Sequence, residues 1–468
     1  MARAKKEAAL TPEERLQTAL VPDWEWPYKL PENWCWTKIG SISSLHRGVS
    51  YKKTDAHTER RENSCLVMRG GNICEGSIDT EADNIYVDIS LVAENQIVRK
   101  NDIIIVASTG STKVIGRAGI SKMDYLDVAF GAFLLLVRPS TKVNQRYIDY
   151  FFLSDNYRNR IKKLASGINI NNIRGEYITE TLVPLAPLAE QQRIVDRIES
   201  LFAKLDEAKE KAQAVVDSFE TRKAAILHKA FTGELTAKWR RTHGLSLDTW
   251  KEVAADSLFE YVTSGSRGWA KYYDESGAVF IRMGNLDHGT IELDFSDIQH
   301  VKLPNKAEGQ RSRIRKNDIL ISITADVGMV GLVRNDDFEG YINQHIALAR
   351  PVMSESAEFI AWYLVSDIGL KQMQEKQRGA TKVGLSLNDI RALQLKIPLI
   401  EEQNEILKVI KMWIGKEQQS QEAAEAVLDQ IDLMKKSILA RAFRGELGTN
   451  DPSEESAVEL LKEIIRRG

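Results

Sequence analysis

The residues in this sequence whose types and spacing could do chemistry are cations and amides set beside glycine, and the chemistry they suit is recognition of nucleic acid. His46-Arg47-Gly48-Val49-Ser50-Tyr51-Lys52-Lys53 is the most basic turn of the first half, and Ser266-Arg267-Gly268-Trp269-Ala270-Lys271-Tyr272-Tyr273 is its counterpart in the second. Arg47 and Arg267 can bond guanine O6 and N7 bidentately, while Lys52, Lys53 and Lys271, beside Tyr51 and Tyr272, can hold phosphates. Arg69-Gly-Gly-Asn72 is answered by Arg282-Met-Gly-Asn285. Because this set recurs almost unchanged, it points to a shared structural or phosphate role more than to base selection. A third pair of segments is Ser166–Asn172, with Asn169, Asn171 and Asn172, and Arg378–Lys382. Asparagine pairs well with adenine N6/N7 and Arg378 or Lys382 with guanine, so these segments could discriminate bases. Gly110-Ser-Thr-Lys-Val-Ile-Gly116-Arg117 follows an apolar run, and its amides, Lys113 and Arg117 could meet a phosphate. The bland alternative for each is a solvated polar loop.

Other chemistries lack their residues. An adenine methyltransferase needs an Asn/Asp-Pro-Pro-aromatic tetrapeptide, and the chain has no Pro-Pro. No G-x-x-x-x-G-K-[ST] exists for a P-loop, and no H-E-x-x-H for a zinc hydrolase. Asp206-Glu207-Ala208-Lys209 evokes a helicase box but lies within a helical heptad pattern, where its charges are solvated flanks. His46, His300 and His345 lack neighbouring ligands, and Cys35, Cys65 and Cys74 form no C-x-x-C pair, which leaves buried or idle thiols. No catalytic, cofactor-binding or metal site is expected in this chain.

The elements that must position these groups come in two copies. Residues 225–235, AILHKAFTGEL, return at 437–447 as SILARAFRGEL, a displacement of 212. The same displacement aligns Glu190-Gln191 with Glu402-Gln403, Arg138-Pro139 with Arg350-Pro351, and Ser154-Asp155 with Ser366-Asp367. Arg-Lys-Asn-Asp at 99–102 recurs at 315–318. A period this long denotes a duplicated domain plus connector. Each copy opens with short β-rich runs punctuated by glycine and asparagine, continues through a helix near Gln145–Leu164 or Ala357–Gln377, and closes in a long helix.

In the first long helix Ile194, Ile198, Leu201, Leu205, Ala208, Ala212, Val215 and Phe219 follow a 4-3-4-3 heptad spacing. In the second, Ile406, Ile410, Trp413, Ala424, Val427, Ile431, Met434 and Ile438 give a seam that falters at Glu417 and Ser420. No other long heptad tract exists, so the two helices are expected to pair with each other, antiparallel under an internal pseudo-two-fold. A 42-residue helix is about 60 Å long, on the order of 18 base pairs, which bounds the separation of two readers. The expected fold is α+β: two repeated β-rich recognition domains, each followed by a long helix, the helices forming an antiparallel coiled coil. The expected divisions are an N-terminal helical arm (1–29), the first domain (30–183), a helical spacer (184–244), the second domain (245–395), and a second spacer with tail (396–468).

With 468 residues, 43% hydrophobic, 28% charged and a net charge of -2, the composition is that of an ordinary globular protein and decides nothing about nucleic acid. The runs Ile103–Ala107 and Phe133–Val137 are strand-sized, far short of a membrane span, and the charged N-terminus has no signal-peptide core. A cytoplasmic protein without membrane contact is expected.

At this point the sequence resembles the specificity subunits of type I restriction-modification enzymes. PLAPLAEQQRIV at 184–195 looks like the start of that family's conserved helix and KAFTGELTAKWR at 229–240 like its end, a pair repeated by PLIEEQNEIL and RAFRGEL. The resemblance implies two target recognition domains reading the halves of a bipartite double-stranded DNA site. It also implies a complex with two methyltransferase subunits and with restriction/translocase subunits, where S-adenosylmethionine, ATP and Mg²⁺ would bind. A coiled-coil scaffold with protein- or sugar-binding heads is the alternative from another class.

Overall fold

The computed structural model describes residues 11–111, 113–166, 172–303, 308–335, 337–378 and 384–466. Asn169, Asn171 and Lys382 lie outside these. The chain forms two compact units, 1–210 with 428–468, and 211–427. Each contains one β-rich domain and parts of both long helices.

The first domain is built on a four-stranded antiparallel sheet in the order Ser43–Arg47, Leu134–Pro139, Ile103–Val106, Ala118–Ile120. Its central strands are apolar on both faces because both are covered. Ile103, Ile105, Leu135 and Val137 enter one core with the helices, while Ile104, Val106, Leu134 and Leu136 enter another. A smaller sheet places Ser64–Met68 between Tyr86–Asp88 and Val128–Phe130, parallel to the latter. The second domain repeats the plan: Phe259–Ser264, Ile346–Pro351, Ile319–Ser322 and Val330–Leu332 form the antiparallel sheet, and Ala278–Ile281 runs parallel to Gly340–Ile342.

The motifs that repeat along the chain turn out to bind one another. Arg138 grips buried Asp102 with Nε and Nη2 at 2.8 and 2.7 Å, and Arg350 grips buried Asp318 at 2.7 and 2.8 Å. Asn101 and Asn317 supply the left-handed residue of the Arg-Lys-Asn-Asp turn, a conformation asparagine tolerates. Burial raises the pKa of Asp318 against the pull of Arg350. The repeated Ser-Asp pair breaks what the sequence suggests is one helix into two, Gln145–Leu153 and Asp155–Ser166, then Ala357–Val365 and Asp367–Lys376. Ser154 and Ser366 donate back to the carbonyls of Phe151 and Tyr363 at 2.6 and 2.5 Å, which ends the first helix of each pair.

Glu190 and Glu402, buried at the start of each long helix, anchor it to its domain. Glu190 accepts from Trp34 Nε1 at 2.7 Å and from Asn450 Nδ2 at 2.8 Å. Glu402 accepts from Thr236 Oγ1 at 2.6 Å and Trp250 Nε1 at 3.0 Å, and is ion-paired with buried Arg240. The Phe of each closing motif completes a core: Phe443 packs on Tyr147 and Phe151, and Phe231 on Phe359 and Tyr363.

The first long helix runs Leu188–Asp217, breaks at Ser218, and resumes as Phe219–Phe231, where the heptad pattern alone predicts continuity. Ile194 and Ile198 are fully buried, Leu201, Leu205, Val215 and Phe219 partly so. In the second, Ile400–Ala442, Ile406, Ile410 and Ile431 are buried as expected. Trp413, Val427 and Met434 are not: all three are more than 40% exposed. The inward row instead reads Ile414, Glu417, Gln421, Ala424, Leu428, Ile431, Lys435, Ile438, a regular heptad that keeps Ala424, Ile431 and Ile438 of the most apolar choice and takes the next residue in place of Trp413, Val427 and Met434. Its charged members are compensated. Glu417 pairs with Arg222 in the second unit, and Lys435 with Asp206 in the first, where Lys209 also reaches Asp432 at 3.6 Å. Among the described residues no helix is long and apolar enough to cross a membrane.

Candidate nucleic-acid interface

In each domain five chain segments gather at one end of the four-stranded sheet. In the first, Val49 N donates to Phe130 O at 2.7 Å, Gly131 N to Met68 O at 2.9 Å, and Ala107 N and Ser108 N both to Phe133 O at 3.0 Å, while Ser108 bridges Asn172. In the second, Asn343 N donates to Ile281 O at 3.1 Å and Ile323 N to His345 O at 2.9 Å, while Thr324 bridges Gly384. The crossing of backbones explains one glycine in each domain and makes Gly265, not Gly268, the structural counterpart of Gly48. A Cβ on Gly48 would lie 2.1 Å from Gly131 O, and one on Gly265 2.2 Å from Ile342 O.

These ends carry several of the side chains singled out from sequence. Arg47, Lys52, Lys53, Lys113 and Asn172 are exposed in the first domain, and Arg267, Lys271 and Arg378 in the second. Tyr51 is half-buried against Val49 and Val67, and Tyr272 lies 4.8 Å beneath the Lys271 ammonium. Trp269, in the same loop as Arg267, is buried against Phe280 and anchors the loop. His46 lies behind Arg47, bonded to Ser44 Oγ at 2.8 Å, and burial together with Arg138 holds its pKa below the ordinary imidazole value.

Others in that set face inward. Asn72 is buried, with Oδ1 accepting from Arg69 N at 2.7 Å and Nδ2 donating to the carbonyls of Asp79 and Ala82. Asn285 is spent identically on Arg282 N, Asp294 O and Asp297 O at 2.8, 2.8 and 3.0 Å. Neither amide can reach a base, and the recurring motif is a capped turn. Arg69 and Arg282 each pair with an aspartate of that turn's loop, Asp83 and Asp297. Arg117 donates to Ile73 O at 3.1 Å, and the amides from Val114 to Arg117 bond to Ser111, Val106 and Val114 carbonyls, so these four amides are spent within the chain. Arg378 contacts Asp389 at 3.3 Å while its side chain stays 83% exposed.

Sequence reasoning missed two features of the site. Arg311, Arg313 and Arg315 line a cleft of about 650 Å³ with Glu260, Tyr261 and Arg350. Arg311 Nη2 reaches Ser266 Oγ at 3.2 Å, which joins the cleft to the Arg267 loop. The signal was the run Arg-Ser-Arg-Ile-Arg-Lys at 311–316, four cations in six residues. The equivalent stretch of the first domain, Asn-Gln-Ile-Val-Arg-Lys at 95–100, has two. The other feature is Phe133, read from sequence only as the start of a strand-sized apolar run and found 68% exposed.

Duplicated β-rich domains on long helices, each gathering cations and amides at one sheet end, make this a modular protein with two copies of one candidate nucleic-acid interface. The chain belongs to the type I restriction modification DNA specificity family, whose model matches residues 31–216 and again 248–425. It is 28% identical to the type I restriction enzyme StySPI specificity subunit of Salmonella potsdam and, equally, to the EcoKI specificity subunit of Escherichia coli K12, each match spanning 93% of this chain and 96% of the relative. The fold resembles the crystal structure of the HsdS subunit from Thermoanaerobacter tengcongensis, with TM-score 0.56 at 19% identity over 90% of this chain and 99% of that one. It also resembles a chain from a study of complex assembly and conformational transition of the type I R-M system, with TM-score 0.62 at 18% identity over 90% of this chain and all of that one. The protein is thus a specificity subunit, not a catalytic one.

Proposed function

We propose that this chain reads a bipartite duplex DNA site, one half with each β-rich domain, and holds the halves at a fixed spacing with its long helices. The observation that carries this is one sheet-end architecture built twice with different side chains, Arg47, Lys52 and Lys53 in one, Arg267, Lys271 and the Arg311–Arg315 cleft in the other. A common backbone with divergent cations is what two unlike half-sites require. The helices pair as an antiparallel coiled coil. Support comes from the first unit, where the ion pairs advance from 206 to 209 on one helix as they recede from 435 to 432 on the other.

The chain works in the cytoplasm as the scaffold for two methyltransferase subunits and for restriction/translocase subunits, and these bring S-adenosylmethionine, ATP and Mg²⁺. Methylation-site mapping with Arg267→Ala tests the division of labour. One half of the site relaxes and the other keeps its sequence; equal relaxation of both halves contradicts the assignment.

A further inference from the structure

The two domains keep one turn and exchange its side chains. In the first, Leu134 N closes the turn on Gly131 O at 2.9 Å, and Phe133 O is held by the Ala107 and Ser108 amides. These bonds fix a phenyl ring in water when a looser loop would fold it away. Its surroundings are polar: Gly48 crosses Gly131 in van der Waals contact and carries exposed Arg47 beside the turn, while Ser108 bridges exposed Asn172. In the second domain Ile346 N closes the same turn on Asn343 O at 3.2 Å, and the side chains presented are Gln344 and His345, their Nε2 atoms 2.9 Å apart. The backbone is retained while an apolar group becomes a pair of hydrogen-bonding groups.

We infer that this turn is the base-reading element of both domains: Phe133 reads its half-site by apolar contact with a thymine C5 methyl, and Gln344 with His345 reads the other through hydrogen bonds to base edges. Thymine offers the major groove's methyl group, and amide and imidazole groups match its donors and acceptors. The inference rests on the DNA-reading function proposed above and adds which side chains do the reading and by which chemistry.

The test selects duplexes from a randomised library with the full chain in complex with its modification subunits. Thymines of the enriched motif are then replaced one at a time by deoxyuridine, which removes only the methyl. One such replacement, confined to one half-site, is expected to weaken wild-type binding roughly tenfold. Phe133→Ala loses that sensitivity and relaxes that half alone, Phe133→Leu regains much of it, and Gln344→Ala with His345→Ala relaxes only the other half. A Phe133→Ala protein that still distinguishes thymine from deoxyuridine, or that loses its modification subunits in place of base discrimination, overturns the inference. A wild-type complex that enriches no bipartite motif removes the DNA-reading function itself, a result distinct from either of these.

Discussion

Replacing Arg240 with methionine should unseat the second domain from its helix. Glu402 is fully buried, Thr236 at 2.6 Å and Trp250 at 3.0 Å are its neutral donors, and Arg240 is the cation paired with it among the described residues. The Arg240 side chain is 8% exposed, so water cannot take over. Breaking a buried pair by removing one partner costs about 3–5 kcal/mol, and methionine keeps much of the stem packing, so the loss is chiefly electrostatic. For a unit of this size that corresponds to a fall of about 10 °C in its melting transition. Calorimetry of the full chain measures it. Adding Glu402→Gln should recover part of the loss, since a neutral amide still accepts one hydrogen bond. In the first unit Asn450→Ala removes a neutral donor shared by Glu190 and the Asn33 amide oxygen and should cost about 2 kcal/mol. A melting curve unmoved by Arg240→Met, or a double variant no more stable than the single, would refute the reasoning.

The remaining predictions address DNA binding and pH. Changing Arg311, Arg313 and Arg315 together to alanine should lower the slope of log affinity against log salt by about 0.9 for each phosphate left without its cation, measured by anisotropy with the specific duplex; an unchanged slope would show that the cleft faces no phosphate. Deleting one heptad from each long helix shortens it by about 10 Å, so on the proposed reading a surviving enzyme should methylate a site whose spacer is about 3 base pairs shorter; an unaltered spacer excludes the helices as its ruler. Burial raises the pKa of Asp149 to about 7 despite Arg146 at 3.3 Å. A carboxyl whose folded pKa is raised contributes stability at low pH that is lost as pH climbs through the folded value. Asp149→Asn should therefore flatten the stability decline between about pH 4 and 7, worth ~1 kcal/mol per unit, and raise the melting temperature at pH 8; an unchanged pH profile would show that the group ionises freely.

The duplication was legible because the repeated motifs are the ones that hold the fold together. Arg138 needs Asp102, Arg350 needs Asp318, and the glutamates that open the helices need tryptophan, threonine and asparagine donors from distant segments. The seam of the second helix was not fully legible. An apolar pattern selects Trp413, Val427 and Met434, whereas Glu417 and Lys435 occupy the inward row because charges on another helix meet them, a fact no single helix records. Recurrence pointed to a shared role at Asn72 and Asn285, but their surface-like sequence context hides that the amides are buried and each satisfy three backbone groups. The exposure of Phe133 was not legible. It is contiguous with a buried strand, yet the turn at Gly131 points it out, and that turn depends on a glycine more than eighty residues earlier.

The burial pattern also says why the halves differ where they do. Conserving a sheet-end backbone across two copies requires Gly48 and Gly265 where backbones cross, and buried asparagines where the adjoining loops turn. Side chains that neither fill a core nor satisfy a backbone group are released from that requirement. Arg47 against Ser264, Phe133 against His345, and Asn95 against Arg311 are positions of this kind, gathered at or beside the same sheet ends. On the proposed reading, a domain can therefore acquire a new half-site without loss of stability, because the side chains assigned to DNA selection are not those that hold the strands together.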